Sequence, residues 1–276
     1  MLRGERRTWL AGAAACACLF SGADQASASL SCSFNNGTGQ LTVFSSGFEE
    51  VVAIQRDGDD ILVRNDVMPG DVSCSGGTPT IFTTDKVVLD DMPGAVSPAV
   101  YFDLADGGMS PGQENESPEL DEIEIEVDWP DGFFGVGGGN GVDRFTFGES
   151  IFGPAVKLNN DSDGDAFIGS TMSIILRGED GKDRLSGKGG SGFLGPINTP
   201  MTIEGGKGKD KITGGGARDV LYGEGGKDKV KGGDGGDIFE VEGGKKDKVL
   251  CGAGNDRVFA DASDKIASDC EKVSVS

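Results

Sequence analysis

GGKGKDKIT at residues 205–213 and GGDGGDIFE at residues 232–240 share one nine-residue pattern, with leading glycines, an aspartate sixth and an apolar residue eighth. Counted in nines from Ile151, the eighth residue is apolar in ten consecutive blocks, although only 36% of the chain is apolar. Chance would produce such a run about four times in 100,000 per reading frame. The ten residues are Leu158, Phe167, Leu176, Leu185, Leu194, Ile203, Ile212, Leu221, Val230 and Phe239. The pattern predicts uninterrupted coiling with a nine-residue period.

Aspartate occupies the sixth position of most of these blocks. After Phe239 the register slips by one residue, with Asp247, and continues as CGAGNDRVF at residues 251–259, which adds Asp256. A further block, GGNGVDRFT, lies upstream at residues 138–146. The aspartates of the main frame are Asp165, Asp183, Asp210, Asp219, Asp228 and Asp237. A carboxylate that recurs at one place in glycine-rich turns favours a cation site, because calcium prefers oxygen ligands.

These tandem blocks resemble the RTX, or haemolysin-type, calcium-binding repeats, whose pattern is G-G-x-G-x-D-x-U-x. The resemblance extends from Gly138 to about Val273. It implies an all-β fold, a right-handed parallel β-roll of nine-residue repeats, in which each glycine-rich hexad is a turn and each x-U-x a short strand with U inward. It also implies that turns two apart stack on one edge and clamp an ion between them. The pairs that follow are Asp165 with Asp183, Asp210 with Asp228, and Asp219 with Asp237; the register slip weakens Asp228 with Asp247 and leaves Asp237 with Asp256 as a further pair.

The physical chemistry of the turns agrees with this resemblance. Glycine takes positive φ, so a run of glycines lets carbonyl oxygens converge on one point. Calcium accepts six to eight oxygen ligands in loose geometry, which such carbonyls and aspartates provide, whereas magnesium is stricter. The glycines expected to shape the sites are Gly205, Gly206, Gly208, Gly232, Gly233 and Gly235. The alternative is that some aspartates only cap turns through local hydrogen bonds.

Several blocks depart from the pattern, which lowers the expected number of sites. Gly192 and Met201 stand where an aspartate belongs, and Ala217 and Glu224 stand where glycines belong. About three good calcium sites are therefore expected, with more at the register slip. One apolar side chain per turn offsets little of the entropy of nine ordered residues. We therefore expect bound calcium to order the roll or to supply much of its stability.

The sequence divides into four segments. Residues 1–28 have a basic start, a short apolar run and a small-residue cleavage site, which is typical of an export signal and too short for a transmembrane segment. Within it, RRTWL at residues 6–10 resembles a twin-arginine motif, so either the general or the twin-arginine route is open. Residues 29–130 are expected to be β-strand-rich, residues 131–259 to form the roll, and residues 260–276 to cap it.

Four cysteines remain after such cleavage, and they allow three pairings. Because they lie two near each end, Cys32 with Cys74 and Cys251 with Cys270 is the economical choice, with free thiols as the alternative. An exported chain with an even cysteine count normally forms disulfides. We therefore expect a secreted protein with one disulfide near each end.

Composition limits the function further. The chain has no histidine, which excludes Ser-His-Asp and Cys-His catalysis and every His-ligated zinc site. Its net charge of -21 argues against nucleic acid as a partner. The acidity lies outside the best repeats, however: residues 30–150 hold 23 acidic and 4 basic residues, and residues 205–250 hold 9 acidic and 10 basic. The period and the glycine turns, rather than bulk acidity, therefore predict calcium binding.

The function expected from these observations is a secreted, non-catalytic calcium-binding protein with a structural or interaction role. The first alternative is a polysaccharide-acting enzyme, a glycosidase or lyase, that uses Asp and Glu of the amino-terminal segment. An RTX-type toxin or adhesin is the other, although the mature sequence has no long apolar region for membrane insertion. The partners considered are calcium ions and, in addition, a cell surface or polysaccharide.

Overall fold

The computed structural model of the protein describes residues 30–45, 51–65, 71–80, 84, 86–91, 99–104, 124–128, 132–150, 153–158, 166–168 and 171–276. The described residues form 26 β-strands and no helix, so none of their segments is a helix able to cross a membrane. The strands of the amino-terminal half are β1 (Leu30–Asn35), β2 (Gln40–Ser45), β3 (Val51–Asp57), β4 (Asp60–Asn65), β5 (Asp71–Val72), β6 (Lys86–Asp91), β7 (Ala99–Asp103), β8 (Glu124–Asp128), β9 (Gly132–Gly137), β10 (Arg144–Ser150), β11 (Gly153–Lys157) and β12 (Ala166–Ile168).

The strands that follow are shorter, as a nine-residue turn-strand repeat requires. They are β13 (Thr171–Arg177), β14 (Asp180–Gly181), β15 (Arg184–Ser186), β16 (Met201–Glu204), β17 (Lys207–Gly208), β18 (Lys211–Thr213), β19 (Val220–Tyr222), β20 (Gly225–Gly226), β21 (Lys229–Asp234), β22 (Ile238–Val241), β23 (Lys248–Ala253), β24 (Arg257–Ala260), β25 (Lys265–Ile266) and β26 (Lys272–Val275).

Two long sheets, which we call sheet 1 and sheet 2, build the fold. Sheet 1 has the order β1-β2-β6-β8-β12-β11-β10-β15-β18-β21-β23-β25, and sheet 2 has the order β26-β24-β22-β19-β16-β13-β9-β7-β3-β4-β5. From β6 onward the chain passes alternately between the two sheets, except that β10, β11 and β12 all lie in sheet 1, and strands of successive coils pair in parallel. A third sheet of β14, β17 and β20 lines one edge. The protein is therefore a parallel β-roll, as the repeats predicted.

The coil continues through the amino-terminal half, where the nine-residue motif is absent. Strand β8 pairs in parallel with β6 on one side and β12 on the other, and β9 pairs in parallel with β7 and β13. Antiparallel hairpins interrupt the coil at β1-β2, β3-β4 and β10-β11. Both sheets thus run without a gap in pairing past residue 130, the predicted segment boundary.

A single hydrophobic core fills the space between the sheets. In the repeats most strands of the two long sheets contribute one or two inward residues, and Ile212, Leu221, Val230 and Phe239 are fully buried. Most strands of the amino-terminal half are longer and contribute two or three. Aromatic rings pack there, with the ring centroids of Phe102 and Phe134 5.7 Å apart and those of Phe134 and Phe147 6.1 Å apart.

The prediction of uninterrupted coiling is wrong at two places: the antiparallel run of β10, β11 and β12 within sheet 1, and the connection between β15 and β16. Between β15 and β16 the chain leaves the coil over residues 187–200, and Leu194, expected to point inward, is 72% exposed. The segment returns along β10, where the amide of Leu194 donates to the carbonyl of Glu149 at 2.7 Å. Ile197, outside the period, fills the core instead. The period survives in the sequence because the excursion adds one nine-residue block.

Both predicted disulfides are present. Cys32 of β1 is bonded to Cys74, and Cys251 of β23 is bonded to Cys270. The first joins the outermost strand of sheet 1 to the segment after β5. The second joins the last full repeat to the connection between β25 and β26. Each end of the described coil is therefore held covalently.

Candidate metal centre

The motif aspartates stack in two files, one along each edge of the roll. Each member directly precedes or begins a strand, so the files follow the order of strands within the sheets. The first file precedes strands of sheet 1 and consists of Asp143, Asp183, Asp210, Asp228, Asp247 and Asp264. The second belongs to sheet 2 and consists of Met201, Asp219, Asp237, Asp256 and Glu271. Turns two apart thus share an edge, as the repeat pattern predicted.

Hydrogen bonds connect successive members of the first file. The amide of Asp183 donates to Oδ1 of Asp210 at 2.8 Å, and the amide of Asp210 donates to Oδ1 of Asp228 at 2.8 Å. The same bond joins Asp143 to Asp183, Asp228 to Asp247 and Asp247 to Asp264, at 2.7–2.9 Å. One carboxylate oxygen in each turn therefore fixes the spacing to the preceding turn.

The second file repeats this arrangement. The amide of Asp219 donates to Oδ1 of Asp237 at 2.9 Å, and that of Asp237 donates to Oδ1 of Asp256 at 2.8 Å. Met201 stands at one aspartate position and is buried, and its amide donates to Oδ1 of Asp219 at 2.9 Å. At the other end the amide of Asp256 donates to Oε2 of Glu271 at 2.8 Å. The Met201 substitution removes one carboxylate from this edge but leaves the hydrogen-bond spacing intact.

The second carboxylate oxygen of most turns has no partner. Among the described residues, Oδ2 is buried without a hydrogen bond in Asp183, Asp210, Asp228, Asp237, Asp247 and Asp256. A buried polar atom of this kind costs about 1–3 kcal/mol unless a partner satisfies it. Asp219 and Asp143 differ, because their Oδ2 atoms accept from the amides of Gly215 at 2.6 Å and Gly139 at 3.0 Å. Six unsatisfied anionic oxygens in two files are the strongest structural sign of a cation.

Burial and mutual repulsion disfavour the charged form of these carboxyls. Burial raises the pKa of Asp183, Asp228 and Asp237 to about 7. The hydrogen bond from the amide of the preceding turn lowers the pKa but does not offset the effect of burial. Neighbouring carboxylates in the file raise the pKa further, as Asp247 and Asp210 do for Asp228. A divalent cation between turns would reverse both effects, because an opposite charge favours the ionised carboxyl.

Glycine keeps the space open beside four of the six unsatisfied oxygens, those of Asp183, Asp210, Asp228 and Asp237; Glu242 and Cys251 stand at the corresponding positions of the other two turns. A Cβ built on Gly178 would lie 2.7 Å from Oδ2 of Asp183 and 2.5 Å from the carbonyl oxygen of Gly205. A Cβ on Gly205 would lie 3.3 Å from Oδ2 of Asp210 and 3.0 Å from the carbonyl oxygen of Gly223. The first glycine of a turn therefore leaves a cradle bounded by its own aspartate and by a carbonyl of the next turn. These donors fit calcium, which binds carboxylate and carbonyl oxygens together.

Backbone carbonyls are needed in such a site. Among the described residues, no three Asp, Glu or Cys side chains converge on one point to hold a metal by themselves. The carbonyls come from stacked glycines: a Cβ on Gly208 would overlap the carbonyl oxygen of Gly181, and one on Gly226 would overlap that of Gly208. Gly206, Gly233 and Gly235 take positive φ, at 85°, 114° and 126°. All six predicted site glycines thus lie in these turns, with Gly232 beside Oδ2 of Asp237.

Two departures from the motif are strained. Glu179 and Glu224 stand where the pattern has its second glycine, and both adopt that glycine's left-handed conformation, with φ of 64° and 57°. They are the only residues other than glycine with positive φ in the described parts of the chain. The stacking of turns therefore imposes the backbone conformation even where the side chain opposes it.

Of the predicted site residues, Asp183, Asp210, Asp219, Asp228, Asp237 and Asp256 lie in the two files, and Asp165 lies outside the described residues. Asp183 has Asp143 and Asp210 as its neighbours in the file, so its partner is 27 residues onward rather than 18. Four file members were not among the predicted sites: Asp143, Asp264 and Glu271 were not considered as ligands, and Asp247 was considered only as a weak partner of Asp228. Each of these four residues is followed by one residue of any type and then by an apolar residue, as in Asp264-Lys265-Ile266. This shorter pattern could have identified them without the glycines of the full motif.

Comparisons with known proteins identify the repeats. The family model of the RTX calcium-binding nonapeptide repeat matches four copies, over residues 175–194 and 202–244. No curated protein and no solved structure matches the chain. The gap between the two matched ranges coincides with the end of the excursion at residues 187–200. The file members at 143, 247, 256, 264 and 271 lie beyond the matched residues, and the structure places them on the same edges as the matched repeats.

Proposed function

We propose, from the premise that residues 175–244 carry RTX calcium-binding nonapeptide repeats, that this chain is an exported calcium-binding structural protein without catalytic activity. In this proposal calcium binds between stacked turns on both edges and stabilises the folded roll. The single observation that carries it is the set of six buried Oδ2 atoms without hydrogen-bond partners, arranged in two files.

The proposed ligands are the unsatisfied carboxylates and the carbonyl oxygens of the next turn on the same edge. Bound calcium would supply the positive charge that the file lacks. The chain's own residues do the rest: Oδ1 holds the preceding turn, and the glycine backbone excludes side chains from the cradle. All six turns meet the first condition, and the four turns of Asp183, Asp210, Asp228 and Asp237 also meet the second. Six carboxylates double the three sites expected from the sequence. The proposed carboxylates are Asp183, Asp210, Asp228, Asp237, Asp247 and Asp256.

Two features support a non-catalytic, exported protein. The repeat aspartates are nearly inaccessible, with Asp183 and Asp256 at 0% exposure, so they do not supply the open pair of carboxyls that a glycosidase needs, and an enzymatic alternative would depend on the amino-terminal segment. Two disulfides are typical of an oxidising compartment outside the cytosol. Residues 1–28 are proposed as the export signal and lie outside the described residues. The division into a segment at 29–130, a roll at 131–259 and a cap at 260–276 likewise remains a proposal.

Calorimetric calcium titration of the metal-free protein tests this function. We expect about six ions per chain, and one fewer in Asp210→Asn, because that change removes the charge of an unsatisfied carboxylate. Asp219→Asn is the matched control from the other edge, since Oδ2 of Asp219 already accepts from Gly215. Its effect on stoichiometry should be smaller. Absence of calcium binding, or an unchanged stoichiometry in Asp210→Asn, would overturn the proposal.

A further inference from the structure

Sheet 1 carries a continuous row of basic residues on its outer face. Each member directly follows an aspartate of the first file and pairs in register with the next member along the sheet. We call this set the cation row: Arg144, Arg184, Lys211, Lys229, Lys248 and Lys265. Neighbouring strands lie about 4.8 Å apart, so the row extends over roughly 24 Å at nearly constant spacing.

The cation row is available to solvent. Its five members from Arg184 to Lys265 are exposed, and none of them forms an ion pair with another described residue. A flanking set of exposed lysines stands on the other side of the first-file aspartates: Lys182, Lys209, Lys227 and Lys246. Basic residues thus lie on both sides of the first-file aspartates, although the whole chain carries a charge of -21.

The repeat architecture itself does not require this row. The matching positions of sheet 2 are the residues that follow the second-file members. Three of them are uncharged (Thr202, Val220 and Ile238), and only the last two are basic (Arg257 and Lys272). The second file stacks equally well there, with hydrogen bonds of 2.8–2.9 Å between its aspartates. Basic residues are therefore unnecessary at these positions for the carboxylates to stack, and their unbroken succession in sheet 1 needs another explanation.

We infer that the cation row is a docking strip for a linear, carboxylated polysaccharide. An extended glycan with one carboxylate on each sugar carries single charges at regular intervals along one line, which suits a single row of evenly spaced cations. The inference rests on the strand register and on exposure, and it is independent of how many calcium ions the turns bind.

The surroundings of the row favour a glycan over other polyanions. The next residues across the same face are Thr146, Ser186, Thr213, Lys231 and Leu250, so this flank offers no aromatic platform on which nucleic-acid bases stack. An anionic membrane would approach a broad area of the molecule, where the acidic remainder of the chain repels it. A single polymer chain contacts only the row.

Binding of fluorescently labelled oligogalacturonate to the full-length protein, at a fixed saturating calcium concentration, tests the inference. Lys211→Gln with Lys229→Gln should weaken binding about 2- to 30-fold, because two surface ion pairs of the usual strength are lost. The matched control is Arg257→Gln with Lys272→Gln, which removes the same charge from sheet 2 and should change the affinity less than twofold. The fully methyl-esterified oligomer, which has no charge, should not bind.

Four outcomes would overturn the inference: no binding by the wild-type protein, equal losses in the two double variants, unchanged binding of the esterified oligomer, or tighter binding of single-stranded DNA or anionic phosphatidylglycerol vesicles. Calcium titration and circular dichroism of both variants verify that they fold and bind metal. If the protein binds no calcium but still binds oligogalacturonate through the cation row, the proposed function is rejected and the docking strip is retained.

Discussion

The amide of Asp210 donates a 2.8 Å hydrogen bond to Oδ1 of Asp228, while Oδ2 of Asp228 is buried without a partner among the described residues. The two oxygens of one carboxylate therefore have separate roles. Oδ1 joins adjacent turns in the absence of metal, and Oδ2 is free to bind a cation. The metal-free roll is consequently expected to keep part of its structure and to gain stability when calcium binds.

Asp228→Asn should have opposite effects with and without calcium. Asparagine keeps an oxygen that accepts from the amide of Asp210 but removes the buried charge. In chelator the variant should be more stable by about 1 kcal/mol, and in calcium less stable by at least as much. Thermal unfolding followed by circular dichroism measures both, with a shift of about 2–4 °C per kcal/mol for a chain of this size. Asp59→Asn, at an exposed turn, should change neither, and a shift of one sign in both conditions contradicts the prediction.

Stability should depend on pH in opposite directions with and without calcium. The folded pKa of Asp183, Asp228 and Asp237 is raised to about 7, from an ordinary value of 3.8. The stability contributed by their protonated forms is complete below about pH 4 and is lost as the pH rises through 7. Metal-free protein should therefore be more stable at pH 5 than at pH 8.

Calcium binding requires the ionised carboxyls, so protons compete with the metal over the same range. The difference in unfolding temperature between calcium and chelator should be large at pH 8 and small at pH 5. Melting curves at several pH values, in a buffer that does not bind calcium, measure this difference. A constant difference across the range would show that the raised carboxyls are not the ligands.

Two adjacent glycines should respond differently to alanine. In Gly226→Ala the new Cβ would overlap the carbonyl oxygen of Gly208, whereas in Gly225→Ala it would have no contact closer than 3.8 Å. Gly226→Ala should therefore destabilise the calcium-bound protein by about 1–3 kcal/mol and weaken calcium binding. Gly225→Ala should be neutral or stabilising by up to about 1 kcal/mol. Equal unfolding temperatures for the two variants would contradict the stacked-turn geometry.

Glu224→Gly should stabilise the roll. Glu224 has a φ of 57°, a conformation that costs a side chain about 1–2 kcal/mol. Glycine removes this strain but increases the entropy of the unfolded chain by an amount worth about 0.4–1 kcal/mol, so a net gain of up to about 1 kcal/mol is expected. Chemical denaturation measures it. Glu240→Gly, in a strand of sheet 2, is the matched control and should destabilise by about 0.5–1 kcal/mol; destabilisation by both would refute the strain argument.

The repeat region was largely predictable because its information is local. A nine-residue period places one side chain inward per strand, and Ile212, Leu221, Val230 and Phe239 are buried as expected. The stacking of Asp219 with Asp237 follows from the same arithmetic, since turns 18 residues apart lie on one edge. The disulfide pairing was predictable for a similar reason, because the four cysteines form two separate groups.

The excursion at residues 187–200 was not predictable from the period. The excursion adds one whole nine-residue block, so the repeats after it keep the same reading frame. Leu194 therefore still occupies the eighth position of a block, although its side chain points to solvent. The partnership of Asp143 with Asp183 was hidden as well. The two residues are 40 positions apart, because the strands β11 and β12 intervene before the chain returns to the edge.

The amino-acid sequence determines the repeat, its inward residues and the oxygen-rich chemistry of its turns, because each of these depends on residues within one or two coils. Only the folded chain reveals that the amino-terminal strands join the same two sheets, since that requires pairing across long connections with no common motif. It also decides which carboxylate oxygens stay unsatisfied and which cations align, because both depend on how turns from different coils stack. The sequence predicts calcium; the stacking selects the six turns proposed to bind it.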